Sequence, residues 1–426
     1  MRILFLGFQA VPYFCDLLNR LHAIPELEIY QVSPGDSGQH LGAGVKVDSS
    51  NVQFDLGSLP DRLVEPNRWL GHSDFEREPR YHTLEGIASY LAENRIDCIV
   101  VQAIYHDAFC YDHELARTVA ARKIPIIFHN IPFQLLRFEE ALKASPFPPK
   151  LRLRSFAKWG VLATITGAAK LYEKTVRKRA NQRGAFLKRR QLLRPDAHVV
   201  YHEEGARIYR SYGVDPERIF VVRNSTNTEA LNDLCLRVQV STAADSGNPH
   251  RILHVGRLVQ WKRVDLLIDA LAQLHTEFSN AELVVVGDGP ERQRLEEQAK
   301  AVGMENQIHF VGAVHDPSEL AKQLVNCGIY VLAGMGGLSI NDAMTAGLPV
   351  ICSRCDGTEK FLVRDGENGF IFEEGSCFDL TEKIATLFRD SALAKRMGEE
   401  SSRIIRDELN LDIVAKNYLR VFQSLR

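Results

Sequence analysis

Short apolar runs alternate with amphipathic stretches along the chain, and this alternation limits the fold more than any other feature. Arg2–Gly7, Glu26–Val32, Ile96–Gln102 and Ile124–Phe128 read as buried strands, while Thr83–Asn94 carries Leu84, Ile87 and Leu91 near helical spacing. Strand and helix in repeated succession predict a parallel sheet covered on both faces. The pattern restarts after residues 236–251, a small and polar stretch containing Gly247 and Pro249 that reads as a domain boundary. Strands are expected beyond it at Arg251–Val255, Glu282–Val286, Ile308–Val311, Ile329–Leu332 and Val350–Cys352. A helix is expected from Val264, with Leu267, Ile268, Leu271 and Leu274 on its apolar face. A chain of 426 residues exceeds what one core ordinarily holds. The expectation is therefore two doubly wound α/β domains, over 1–240 and 250–405. Residues 406–426 are expected to form a C-terminal helix that packs back on the first domain.

Composition removes several classes. Hydrophobic residues at 45% and charged residues at 25% are globular values and argue against wholesale disorder. The apolar start, Arg2–Gly7, is interrupted at Gln9 and lacks a clean small-residue cleavage site, so a first strand is the better reading than a signal peptide. No stretch reaches the roughly 18 apolar residues of a membrane span. Cys352 and Cys355 are spaced as a metal or redox pair. No second close pair completes a zinc site, and a reduced pair in the cytoplasm is expected.

The net charge of −2 conceals one strongly uneven segment. From Lys150 to Arg194 stand 14 Lys/Arg and a single acid, Glu173, around an apolar piece, Trp159–Ala169. Such a segment is a solvated face, or it meets an anionic membrane or a lipid-phosphate acceptor at the inner face of a membrane. Nucleic acid is the weakest of the three readings, because no recognised binding motif accompanies the charge.

Two loops carry candidate chemistry. Gly256-Arg257-Leu258-Val259-Gln260-Trp261-Lys262 follows a strand and leads into a helix. That places it at the carboxyl edge of a parallel sheet, where open α/β sheets bind ligands. Two cations there can neutralise a diphosphate, and arginine adds forked hydrogen bonds to its oxygens. An isolated Arg/Lys pair is more often a solvated surface pair. The second loop, Ala333-Gly334-Met335-Gly336-Gly337-Leu338-Ser339, opens a helix containing Asp342. Its glycines let the backbone approach a phosphate, the first-turn N–H groups face it, and Ser339 adds a hydroxyl. Asp342, about one turn in, suits ribose hydroxyls. A tight structural turn with an acid favoured by the helix dipole is the plainer account of the same residues.

Taken in order, Gly256-Arg257-Leu258…Lys262, Gly287-Asp288-Gly289-Pro290, Phe310-Val311-Gly312, the loop before Asp342-Ala343-Met344, and Gly347-Leu348-Pro349 form a specific set. Gly357-Thr358-Glu359 and Asp365-Gly366-Glu367-Asn368-Gly369 continue it. The set resembles the retaining glycosyltransferases of family 4, of GT-B fold, over most of residues 250–390. The resemblance implies two Rossmann-like domains facing each other across a cleft. It also implies hexosyl transfer from a nucleotide-sugar to a saccharide or lipid-linked acceptor, without a metal or other cofactor.

By the same resemblance Arg257 and Lys262 bind the donor diphosphate, and Gly256, Gly287, Gly312, Gly336, Gly337, Leu338, Ser339 and Asp342 form the donor site. Pro125-Ile126-Ile127-Phe128-His129 matches a strand whose terminal histidine faces the donor sugar, which makes His129 a candidate catalytic residue; a strand-end histidine is otherwise more often structural. Two departures stand out. The first acid of the family's Glu-x7-Glu motif falls on Gly334, with Asp342 at the second. The glycine-rich first loop is reduced to Gly7-Phe8-Gln9. The missing acid leaves room for a catalytically silent scaffold or membrane-bound partner, and a nucleotide-sugar epimerase is a further alternative on the same fold.

Overall fold

The computed structural model describes residues 1–8, 10–33, 52–58, 84, 86–102, 105, 109, 112–130, 135–143, 184–241, 247–354 and 359–425. Two parallel sheets organise them. The first comprises β1 (Arg2–Leu6), β2 (Glu28–Ser33), β3 (Asp55–Ser58), β4 (Cys98–Gln102), β5 (Ile126–His129), β6 (Ala197–Val200) and β7 (Ile219–Val221), in the order β3-β2-β1-β4-β5-β6-β7. The second comprises β8 (Asn248–Val255), β9 (Glu282–Val286), β10 (Ile308–Gly312), β11 (Cys327–Leu332), β12 (Val350–Ser353) and β13 (Gly369–Phe372), in the order β10-β9-β8-β11-β12-β13. In both, the first strand of the sheet lies inside and the order reverses beside it, so the β1/β4 and β8/β11 carboxyl ends are the two switch points.

The central strands are buried on both faces because helices cover them. Ile3, Leu4, Phe5 and Leu6 are fully buried, as are Leu283 and Val285, which is why these strands are unbroken apolar runs. In the helix Val264–Leu274, the residues Val264, Leu267, Ile268, Leu271 and Leu274 are all buried, at helical spacing. The helix near residue 83 is shorter than its spacing suggests, Ile87–Glu93.

The boundary expected over 236–251 is narrower in the structure. A helix runs Thr228–Ser241 and β8 begins at Asn248. The helix buries only Thr228, Leu231 and Cys235 and leaves Leu236 and Val240 exposed, so its sequence lacks a full apolar stripe. Leu231 and Cys235 pack in one cluster with Leu253, Val284, Tyr330 and Met344 of the second sheet's surroundings. The helix Leu411–Ser424 crosses the other way. Its Val414, Tyr418, Val421 and Phe422 share a core with Ile3, Phe5, Phe14 and Leu18 of the first sheet and its first helix.

Residues 150–183 of the basic segment lie outside the described residues, as do Gln9, Cys355, Gly357 and Thr358. Cys352 is buried and forms no disulfide. Among the described residues no helix is long and apolar enough to cross a membrane.

Candidate functional site

Close backbone approach builds the floor of the site. Gly256 follows β8 directly and donates its N–H to Val286 O at 2.9 Å. Gly287 sits beside it with φ +146°, and a Cβ there would lie 1.8 Å from Gly256 O. Only glycine lets the two strand ends touch at this point. Gly287 then donates to Gly312 O at 2.8 Å, closing β8, β9 and β10 into one edge.

Above this floor the 256–262 turn carries the two cations. Arg257 is half-buried, and its Nε is buried without a hydrogen-bond partner. Lys262 closes a short 3-10 turn, Gln260–Lys262, and its Nζ donates to Met335 O at 2.8 Å and Gly336 O at 2.6 Å. The turn and the glycine-rich loop after β11 are therefore one structure, joined also by Met335 N–H to Trp261 O at 2.9 Å. Gly334 is what allows it, since a Cβ at 334 would stand 2.0 Å from Trp261 O and 2.7 Å from the Lys262 carbonyl carbon. The space a side chain at 334 would need, where an acid was expected from the resemblance, is here filled by neighbouring backbone.

The helix Ser339–Thr345 begins at this loop. Ser339 Oγ is hydrogen-bonded to the Tyr330 hydroxyl at 2.7 Å, and burial raises that tyrosine's pKa. Asp342 accepts from Thr226 Oγ1 at 2.8 Å, and desolvation, opposed by that bond, pushes its carboxyl up to about 6. Asn341 Nδ2 donates to Asn224 O at 3.3 Å. Two adjacent residues of the helix thus grip the segment after β7 that leaves the first domain. Under the turn, His254 is fully buried with Nδ1 at 3.1 Å from Val331 O, and burial lowers its pKa to about 4.

Between the sheets lies a cavity of about 340 Å³, lined on one side by Tyr201, His202 and Arg223 and on the other by Gly336, Leu338 and Phe361. His202 stacks on Phe361 at 5.1 Å and 14° across the gap. Arg223 holds φ +68°, a conformation that costs a non-glycine residue about 1–2 kcal/mol.

The structure brings Gly256, Arg257, Lys262, Gly287, Gly312 and the Gly336–Ser339 loop to the carboxyl edge of the second sheet. It does not bring His129 to the cavity wall. That imidazole is buried, with its pKa lowered to about 4 by desolvation, among Phe8, Tyr201 and Tyr418. Tyr201, whose ring meets it edge-on at 5.1 Å, lines the cavity instead. Sequence reasoning passed over His254, Thr226, Asn341 and Tyr330. A buried histidine two residues before Gly256 was the one visible signal among them. Among the described residues, no group of three or more His, Cys, Asp or Glu is arranged to hold a metal ion.

Two facing doubly wound sheets, with the site at the second sheet's carboxyl edge, define the GT-B architecture. Two solved structures share it along the chain. HepE of Anabaena, crystallised with UDP, is 17% identical with a TM-score of 0.65, and the match covers 100% of both chains. Sucrose-phosphate synthase of Thermosynechococcus elongatus is 16% identical with a TM-score of 0.66, covering 100% of this chain and 99% of that one. At such identities the likeness establishes the fold. Residues 242–403 match the family model described as glycosyl transferases group 1. The phosphatidyl-myo-inositol mannosyltransferase of Mycobacterium leprae is 28% identical over 179 residues, 41% of this chain and 46% of that protein. The chain thus spans about half the length of the curated relatives it matches.

Proposed function

We propose that the chain is a retaining glycosyltransferase that moves a sugar from a nucleotide-sugar to a saccharide or lipid-linked acceptor, in the synthesis of a cell-surface polysaccharide or glycolipid. The observation that carries this reading is the hold of Lys262 Nζ on Met335 O and Gly336 O of the glycine-rich loop, with the buried, unpartnered Nε of Arg257 in the same 256–262 turn. The glycosyl transferases group 1 match over the same residues supports it.

Transfer breaks the bond from the sugar's anomeric carbon to the diphosphate oxygen. An acceptor hydroxyl forms the new bond on the same face, and its proton passes to the leaving phosphate. Negative charge grows on that phosphate as the sugar becomes oxocarbenium-like. Fixed cations aimed at it in a site shielded from water are worth several kcal/mol, on the order of 3 per well-placed donor. Arg257 and Lys262 supply them, with the Gly336–Ser339 amides alongside. This charge balance requires no metal, so transfer is expected to persist in EDTA. Asp342, one methylene shorter than glutamate and tied to Thr226, serves chiefly to fix the loop's helix.

The basic segment 150–194 attaches the first domain to an anionic membrane surface in this account. The exposure of Phe186 and Leu187 beside Arg190, within the described residues 184–194, supports this reading. Liposome flotation with and without the segment tests it, and unchanged flotation counts against it.

The experiment for the activity is hydrolysis or transfer against UDP-, GDP- and dTDP-sugars, with Lys262→Ala alongside. Binding or turnover of no donor would leave the silent-scaffold reading, which the occupied position at Gly334 favours.

A further inference from the structure

The imidazole of His254 has one nitrogen whose purpose the fold does not supply. Nδ1 faces Val331 O at 3.1 Å, and a carbonyl oxygen only accepts, so Nδ1 carries the proton. The ring is neutral at pH 7, because burial and the charge of Lys262 both oppose a second proton. Nε2 is therefore an acceptor, and it is buried with no hydrogen-bond partner.

Its direction is fixed by Gly256. A Cβ on Gly256 would stand 3.3 Å from His254 Nε2 and 3.9 Å from Lys262 Cε. The acceptor and the lysine stem flank the small space that the missing side chain leaves open. The Lys262 ammonium itself is turned to Met335 O and Gly336 O, two neutral carbonyls on a loop with consecutive glycines. Charge-assisted bonds to phosphate oxygens are stronger than these, so a diphosphate competes for the ammonium. An ammonium has three donors, and a diphosphate approached from one side does not use them all.

We infer that His254 is a positioning residue for Lys262: as the donor diphosphate draws the ammonium off Met335 O and Gly336 O, His254 Nε2 accepts a hydrogen bond from it and holds it over Gly256. The inference rests on the donor-site reading proposed above and adds a residue to it. It also gives the glycine-rich loop a resting partner, which donor binding removes.

Two substitutions separate this role from a structural one. Asparagine places an amide near Nδ1, keeping a donor for Val331 O and losing the acceptor at Nε2. Glutamine reaches the Nε2 position and gives up the bond to Val331. The probes are UDP and GDP, titrated calorimetrically into the full chain at pH 7.5. His254→Asn is expected to weaken binding about tenfold, the loss of one hydrogen bond to a charged group, and His254→Gln to stay within about threefold. In a Lys262→Ala background, His254→Asn should cost nothing further, because the partner is gone. The reverse order, with asparagine tolerated and glutamine damaging, overturns the inference and leaves His254 as a brace for Val331. So does an equal loss from His254→Asn with and without Lys262. Nucleotide binding by the wild type that is untouched in His254→Asn removes this inference alone, whereas no binding of either nucleotide by the wild type removes the donor-site reading as well.

Discussion

Replacing Gly334 by alanine puts a Cβ about where Trp261 O now lies, 2.0 Å from it, with Lys262 carbonyl carbon at 2.7 Å and Cα at 2.9 Å. All three contacts are backbone, so no rotamer relieves them and the 261–262 turn must withdraw from the loop. Overpacking of this kind costs about 1–3 kcal/mol. Withdrawal also breaks or stretches the 2.9 Å bond from Met335 N–H to Trp261 O, a further loss of about 1 kcal/mol. The sum is about 2–4 kcal/mol, which lowers the melting temperature of a domain this size by roughly 4–16 °C. Gly334→Glu, which restores the acid expected at this position, should cost about as much as alanine because the clash is already complete at Cβ. Both should also weaken donor binding, since the withdrawn 261–262 turn carries Lys262 away from the glycine-rich loop. Differential scanning calorimetry with a UDP titration reads both effects. A Gly334→Glu protein as stable as the wild type, or one with improved transfer, would refute the packing argument.

Two further outcomes follow from the desolvated titratable groups. Asp342 has its pKa raised to about 6, so its contribution to stability is present below the unfolded value near 4 and lost as the pH rises through 6. Asp342→Asn should match the wild type at pH 4 and exceed it at pH 7.5 by at most about 3 kcal/mol in urea unfolding; equal curves at both pH values would contradict this. His129, His198 and His254 are each lowered to about 4, so their contribution is present above about 6.5 and lost as the pH falls toward 4. Melting temperature should drop across that window, and His198→Phe should flatten the drop; a profile unchanged by that substitution would count against buried neutral imidazoles. For the mechanism, EDTA should leave transfer unaffected, whereas activity restored only by a divalent cation would require a different account of charge balance.

The doubly wound fold was legible because buried parallel strands are continuous apolar runs. Glu282–Val286 coincides with β9 residue for residue. The edge strand Asp55–Ser58 was not, being four residues with Leu56 as its one large apolar side chain, and Gly369–Phe372 has an apolar run of only three, Phe370-Ile371-Phe372, inside a glycine-rich stretch. The helix Thr228–Ser241 was partly read as linker because one shallow face is all it buries. At the site, Arg257 and Lys262 were singled out by the order of loops over residues 250–390, since the local strand–turn–helix pattern alone reads as well as a solvated pair. What they touch was not legible: Lys262 meets Met335 and Gly336, and Asp342 meets Thr226, across separations that no local pattern spans. Gly334 is the sharpest case. In the sequence it is only an acid that is absent, and in the structure it is the position that lets two loops touch. His129 shows the converse, a strand-end histidine placed in the sequence at the sugar and in the structure behind Tyr201.

The central claim is that Arg257 and Lys262 grip the diphosphate of a nucleotide-sugar. The most direct measurement is calorimetric binding of UDP, GDP and dTDP to the wild type and to Arg257→Ala and Lys262→Ala. The account predicts that at least one nucleotide binds the wild type saturably. It also predicts that each substitution weakens that binding by tenfold or more, about 1.4 kcal/mol, while the melting temperature without ligand stays within a few degrees. Binding that persists unweakened in both variants, or no binding of any of the three by the wild type, would contradict it.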